Sequence, residues 1–166
     1  MAISEGTQAP DFTLRTASDV GKSADDFGLS DVSLSEHKGK DNVVLLFVPG
    51  AFTGVCTKQL CNVSEDLSKY SSANGVVYAI SCDTAFAQKA WAEKENITVP
   101  LLSDYDKKVV EKYDVVLPDL VGLGKGSKRA AFVIDKEGVV RYSEETPSPL
   151  DLPDSAKILE TLKSLS

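Results

Sequence analysis

Residues 43–67 read VVLLFVPGAFTGVCTKQLCNVSEDL, an apolar run that breaks at a Pro-Gly pair and resumes at helical spacing. Val43 to Val48 is continuously apolar and rich in β-branched side chains, the form of a strand buried on both faces of a parallel sheet. After Pro49-Gly50, Thr53 stands where an N-cap belongs. Val55, Gln59, Leu60, Val63 and Leu67 then recur at helical spacing, which starts a helix near Thr53-Gly54. Cys56 falls in its first turn. Unpaired backbone N–H groups and the positive end of the helix dipole there complement a thiolate, the nucleophilic form of cysteine. The local charge pattern agrees. Between Asn42 and Ser64 the only ionisable group besides the two cysteines is Lys58, although the chain carries a formal charge of −7.

Working outward, Gly75 reads as a stop signal and Val76–Ile80 as a second apolar strand, ending at Ser81-Cys82-Asp83. This completes a β-α-β unit, whose right-handed crossover puts the Cys56 loop at the carboxyl edge of the sheet. Asp83 or Thr84 caps a helix with Phe86, Ala90 and Trp91 inward, ended by Asn96. Pro100–Leu102 is a short extended piece. Asp104 or Asp106 caps a brief helix with Val109, Val110 and Tyr113 inward, followed by a loop from Leu117 to Lys128. Arg129–Asp135 and Val139–Ser143 flank Lys136-Glu137-Gly138 as an antiparallel hairpin. Pro147, Pro149 and Pro153 mark an extended link to a last helix striped by Ile158, Leu159, Leu162 and Leu165. Upstream, APDFTLRT at 9–16 puts Phe12 and Leu14 on one face of a short strand. A polar stretch, Ala17–Asp26, then gives way to Phe27–Leu34 with Leu29 and Leu34 inward. Strands and helices in this order predict an α/β sandwich around a mixed central sheet, with an N-terminal β extension.

At 166 residues the chain is long enough for one domain, 1–166, with a proper core. Its acidic balance argues against nucleic acid, whose phosphates are met by clustered Lys and Arg. No window approaches the length of a membrane span, and MAISEGTQAPDF lacks the basic and apolar regions of a signal peptide, so a reducing cytoplasm is the expectation. In that compartment Cys56, Cys61 and Cys82 read as reactive or buried thiols rather than structural disulfides. His37, in a polar loop, reads as a solvated histidine. Gly122, Gly124 and Gly126 are followed by a strand where a phosphate loop, itself preceded by a strand, requires a helix, and read as a flexible loop.

Pro49, Thr53 and Cys56 form P-x-x-x-T-x-x-C between a strand and a helix, supported by APDF at 9–12, PLLSD at 100–104 and Arg129 ahead of AAFVID. These landmarks resemble those of the peroxiredoxins, thiol peroxidases of the thioredoxin superfamily, over roughly residues 5 to 145. The resemblance implies a thioredoxin-like fold and reduction of hydrogen peroxide and small organic hydroperoxides through a Cys56 sulfenic acid. It makes Cys56 the peroxidatic cysteine, held by the Thr53 hydroxyl, which also orients the peroxide. The backbone N–H groups of Val55 and Cys56 donate to the peroxide oxygens, Pro49 shields the pocket, and Arg129 binds the leaving oxygen. No cofactor or metal is implied. The implied partners are a peroxide and a thiol reductant, thioredoxin, glutaredoxin or another, and family members commonly form homodimers.

Two subtypes stay open. Cys61, at C-x-x-x-x-C spacing from Cys56, matches the resolving cysteine of the Q-type (bacterioferritin comigratory protein) enzymes, whereas AFTGVC is closer to one-cysteine bacterial enzymes resolved by external thiols. Gly50-Ala51-Phe52 also replaces the charged residues usual in the Q type. Five helical residues rise about 7.5 Å and turn about 140°, so a Cys56–Cys61 disulfide requires local unwinding. Cys82, at a strand end, reads as core with a resolving role as the alternative. Two other functions compete: a peroxide-sensing or chaperone-like protein using the same cysteine, and a disulfide oxidoreductase, which the lack of C-x-x-C disfavours.

Overall fold

The computed structural model describes residues 1–19 and 23–165. Its centre is β3, Asn42–Phe47, in which every residue is buried. β3 pairs in parallel with β4, Gly75–Ser81, and antiparallel with β8, Ala130–Ile134. Beyond β4 lie β5 (Leu101–Ser103), β1 (Thr13–Thr16) and β2 (Ser30–Ser33), and beyond β8 lies β9 (Val140–Glu145). The seven strands run β2-β1-β5-β4-β3-β8-β9, a mixed sheet with the expected N-terminal β extension at one edge.

Because β3 is covered on both faces, alternate residues feed two cores. Val43, Leu45 and Phe47 pack with Phe12, Leu14, Tyr78, Ile80, Tyr113 and Phe132. Val44 and Leu46 pack with Cys56, Leu60, Trp91, Ala131, Val133, Ile158 and Leu162. The second layer is supplied by α1 (Gly54–Glu65), α2 (Leu67–Ser72), α3 (Ala85–Glu95) and α5 (Ser155–Leu165). Truncating a fully buried member such as Leu60 to alanine would cost about 2–5 kcal/mol. Ile158 and Leu162 are the buried members of the α5 stripe, with Leu159 and Leu165 partly covered.

Several expectations are corrected. The predicted long helix breaks at Asp66, so Leu67 opens α2. The left-handed residue that ends α2 is Asn74, φ 58°. Gly75 serves a different need, since a Cβ there would lie 2.8 Å from Leu162 Cδ1 and 3.1 Å from Tyr70 O. On α3, Trp91 is buried as expected, but Phe86 is 54% exposed and Ala90 is exposed, and Ala85 and Gln88 point inward instead. Gln88 earns a core position by donating Nε2 to Ser81 Oγ and to Leu102 O, both at 2.8 Å. Asn96, φ 55°, ends α3 as expected. The brief helix is α4, Lys108–Lys112, and both candidate aspartates serve it. Asp104 accepts from Val109 and Val110 N–H, and Asp106 from Lys108 N–H. The 117–128 loop contains part of a small hairpin, β6 (Val116–Leu117) with β7 (Gly126–Ser127). Leu29 is only half-buried, and the polar stretch Ala17–Asp26 lies partly outside the described residues.

Candidate active site

The loop between β3 and α1 is set by three local constraints. Phe52 adopts φ 62°, a left-handed conformation that costs a non-glycine residue about 1–2 kcal/mol. Ala51 N–H donates to Asp83 Oδ2 at 2.8 Å, tying the loop to the end of β4. Thr53 Oγ1 donates to Gly50 O at 2.7 Å. Thr53 is the N-cap residue by backbone conformation, but its side chain caps no N–H, because its proton closes the turn behind it. Its lone pairs stay free to accept from a ligand. The first helical bond runs from Thr57 N–H to Thr53 O, so the N–H groups of Val55 and Cys56 lie ahead of the ladder at the positive end of α1.

Cys56 is fully buried at this helix start, and Pro49, in the turn after β3, is buried as well. Arg129 comes from the opposite direction, immediately before β8, and is 2% exposed. Its Nη2 donates to Cys56 Sγ at 3.2 Å, its Nη1 to Gln59 Oε1 at 2.7 Å, and its Nε to Pro149 O at 3.0 Å. A guanidinium has five N–H donors, so one on Nη2 and one on Nη1 remain for a bound oxygen. In a water-excluded site such a charge acts with little screening. The constellation can therefore hold a sulfur anion, present donors at a helix start, and receive negative charge on a departing oxygen.

Gln59 and Pro149 were not legible as site residues. Gln59 read as one inward position of the helical stripe; the signal was an amide among apolar neighbours, since a buried amide needs a partner. It is 4% exposed, and its Nε2 has no hydrogen-bond partner among the described residues. Pro149 contributes only its carbonyl, which no side-chain reading would find.

The other cysteines sit elsewhere, and all three thiols are free. Cys61 is half-buried on α1, its Sγ donating to Glu95 O at 3.5 Å; burial and the charges of Glu95 and Glu65 raise its pKa. Cys82 packs against the core on the face of the sheet away from Cys56, which corrects the idea that the two could meet across neighbouring strands. Burial, reinforced by Asp104, pushes its pKa up to about 12. His37 is not a solvated histidine. Nδ1 lies 2.9 Å from Asp41 Oδ2 and Nε2 2.8 Å from Tyr78 Oη. It borders a cavity of about 190 Å³ at the amino end of β3, the end of the strand remote from Cys56. Among the described residues no three His, Cys, Asp or Glu side chains gather as metal ligands, and no helix is long and apolar enough to cross a membrane.

Comparison with known proteins agrees with this geometry. Residues 6–143 match the AhpC/TSA family. The chain is 37% identical over 162 residues to a chloroplastic peroxiredoxin Q of Triticum aestivum, covering 96% of this chain and 68% of that one. It is 39% identical over 143 residues to a putative peroxiredoxin bcp of Coxiella burnetii, covering 84% and 87%. Among solved structures, peroxidoxin BcpB of Mycobacterium tuberculosis superposes with a TM-score of 0.79 at 28% identity, covering 98% and 97%. With a strand–turn–helix thiol site and relatives of this kind along most of its length, the chain belongs to the AhpC/TSA family and is a thiol peroxidase with the thioredoxin-like fold of the peroxiredoxins.

Proposed function

We propose that Cys56 is the peroxide-reducing thiol and that Arg129 is its catalytic partner. The observation carrying this reading is the 3.2 Å contact from Arg129 Nη2 to Cys56 Sγ at the start of α1. The Cys56 thiolate attacks one oxygen of R–O–O–H. A sulfur–oxygen bond forms, the O–O bond breaks, sulfur is oxidised to the sulfenic acid, and R–O⁻ leaves to be protonated as an alcohol or, for hydrogen peroxide, as water. The remaining N–H donors of Arg129 and the Val55 and Cys56 N–H groups meet the charge that develops on the oxygens. Thr53 Oγ1, its proton given to Gly50 O, accepts from the peroxide O–H. Gln59 and the Pro149 carbonyl hold the guanidinium in register.

A thioredoxin- or glutaredoxin-type dithiol then returns the enzyme to the thiol, after in-chain resolution by Cys61 in the manner of the Q-type enzymes. Free thiols suit a reducing compartment such as the cytoplasm. The test is steady-state consumption of hydrogen peroxide and cumene hydroperoxide with thioredoxin, glutaredoxin or dithiothreitol as reductant. Many turnovers per chain, abolished by Cys56→Ser, are expected. Oxidation that stops after one equivalent with every reductant would overturn the turnover reading and leave a sensor.

A further inference from the structure

His37 ends the 3-10 turn Leu34–His37, Asp41 stands just ahead of β3, and Tyr78 lies within β4, paired with Leu45. The fold brings the three side chains into one relay. His37 Nδ1 lies 2.9 Å from Asp41 Oδ2 and His37 Nε2 lies 2.8 Å from Tyr78 Oη, with the two ring centroids 5.5 Å apart. A carboxylate only accepts, so the Nδ1 proton faces Asp41. The neutral imidazole then has its lone pair at Nε2, and the phenolic O–H of Tyr78 donates to it. Tyr78 is 5% exposed, and burial, reinforced by Glu36 and Asp41, pushes its pKa up to about 12. Its proton is therefore not lost to water at neutral pH; the path open to it is the hydrogen bond to Nε2.

The other four tyrosines lack this arrangement, because His37 is the only histidine of the chain and both of its ring nitrogens are engaged. Tyr113 Oη donates to the Pro10 carbonyl at 2.7 Å, a group too weakly basic to take a proton. Tyr142 Oη donates to Glu144 Oε1 at 2.7 Å, and a carboxylate is a weaker base than an imidazole. Tyr105 is 65% exposed to water, and Tyr70 is buried. Loss of an electron makes a phenol strongly acidic, so its oxidation is easiest where a positioned base takes the proton in the same event. Tyr78 meets that condition best.

We propose that Tyr78, His37 and Asp41 form a one-electron site at which peroxyl radicals are reduced to hydroperoxides. One electron passes from Tyr78 to R–O–O•, giving R–O–O⁻, which takes a proton from water and leaves as R–O–O–H. The phenolic proton moves to His37 Nε2, so a neutral tyrosyl radical and an imidazolium beside Asp41 remain. A one-electron donor such as ascorbate returns the electron, and the proton goes back to Oη. The cavity of about 190 Å³ that His37 borders gives a small radical access to the ring next to the buried phenol. Tyr78 and Cys56 pack in cores on opposite faces of the sheet. The hydroperoxide released on one face is the substrate proposed for Cys56 on the other, and only this last link rests on that reading.

The test exposes the reduced full-length chain to trichloromethylperoxyl radicals made by pulse radiolysis, follows the tyrosyl absorption in time, and assigns the radical by electron paramagnetic resonance after rapid freezing. The variants are Tyr78→Phe and His37→Gln, the second of which keeps an acceptor for the phenol but removes the base. Tyr78→Phe is expected to abolish most of the tyrosyl signal. His37→Gln is expected to slow its formation about 10²-fold, the low end of what a positioned base contributes, and to remove the solvent deuterium isotope effect that the wild type shows. Both variants should keep the wild-type circular dichroism and kcat/KM for hydrogen peroxide. An undiminished signal in Tyr78→Phe, or a first radical on Tyr142, Tyr105, Trp91 or a thiol in the wild type, would overturn the site. So would formation in His37→Gln at the wild-type rate with the same isotope effect. Absence of hydrogen peroxide turnover by the wild type, with the tyrosyl kinetics as expected, would instead overturn the reading of Cys56 and leave the radical site standing.

Discussion

Cys56 and Cys82 lie at the same edge of the same sheet, yet they are built for opposite behaviour. Each follows the carboxyl end of a parallel central strand, β3 or β4, and each packs against a core. Cys56 is met by a helix start and by the Arg129 guanidinium at 3.2 Å. Cys82 is met by burial and by the Asp104, Asp83 and Asp106 carboxylates, which Lys107 offsets only in part. Both thiols are covered, but the side chains brought to them differ: a guanidinium contacts Cys56, whereas carboxylates add to the effect of burial at Cys82, and the sheet places the two sets on different faces.

The comparison can be broken most severely at the sulfurs themselves. Cys56→Ser should lower kcat/KM for hydrogen peroxide by about 10⁴-fold or more, whereas Cys82→Ser should leave it within about twofold, as measured by stopped-flow peroxide consumption. Alkylation at pH 8 sharpens the contrast from the other side. With its pKa near 12, Cys82 should react with iodoacetamide on the order of a thousandfold more slowly than an unperturbed thiol, read by peptide mass spectrometry.

Arg129→Ala should cost about 10²-fold in kcat/KM, mostly in the peroxide-reduction step, and should also lower the urea midpoint because the buried Gln59 Oε1 then loses its donor. Alkaline stability follows from the Cys82 face. The pKa values of Cys82 and Tyr78 are both raised to about 12, chiefly by burial, so their contribution is complete below the unfolded values and is lost as pH climbs through the folded ones. Stability to urea should therefore fall between about pH 9 and pH 12. Cys82→Ala should remove about 2 kcal/mol of that decline, since the half-buried thiol is partly screened. Gln59→Leu is the mildest test, expected to lower kcat/KM about tenfold by loosening the guanidinium while leaving the fold intact.

What was legible in the sequence was whatever one side chain or one period carries. The all-apolar run at 43–48 specifies a strand covered on both faces, and Pro49, Thr53 and Cys56 specify the turn and helix start because each acts through its own backbone position. Contacts that depend on the partner's approach were not legible. Phe86 looks like a core residue by type, but Gln88 takes the inward position because Ser81 Oγ and Leu102 O, from two other strands, wait there for a donor. His37 looks solvated until Tyr78, forty-one residues away, is brought to 2.8 Å. The same holds in the site. Arg129 was singled out by the resemblance, through its place ahead of AAFVID, whereas Gln59 and the Pro149 carbonyl gain their roles only when the guanidinium arrives between them.

The most direct measurement is the order in which the three thiols of the reduced wild-type chain are lost to limiting hydrogen peroxide at pH 7, by rapid quench, isotopic alkylation and peptide mapping. Cys56 should be consumed first, at least about a thousandfold faster than Cys82, with any loss of Cys61 trailing that of Cys56. Loss of Cys82 or Cys61 ahead of Cys56, or equal rates at all three, would contradict the assignment of the chemistry to the Cys56–Arg129 pair.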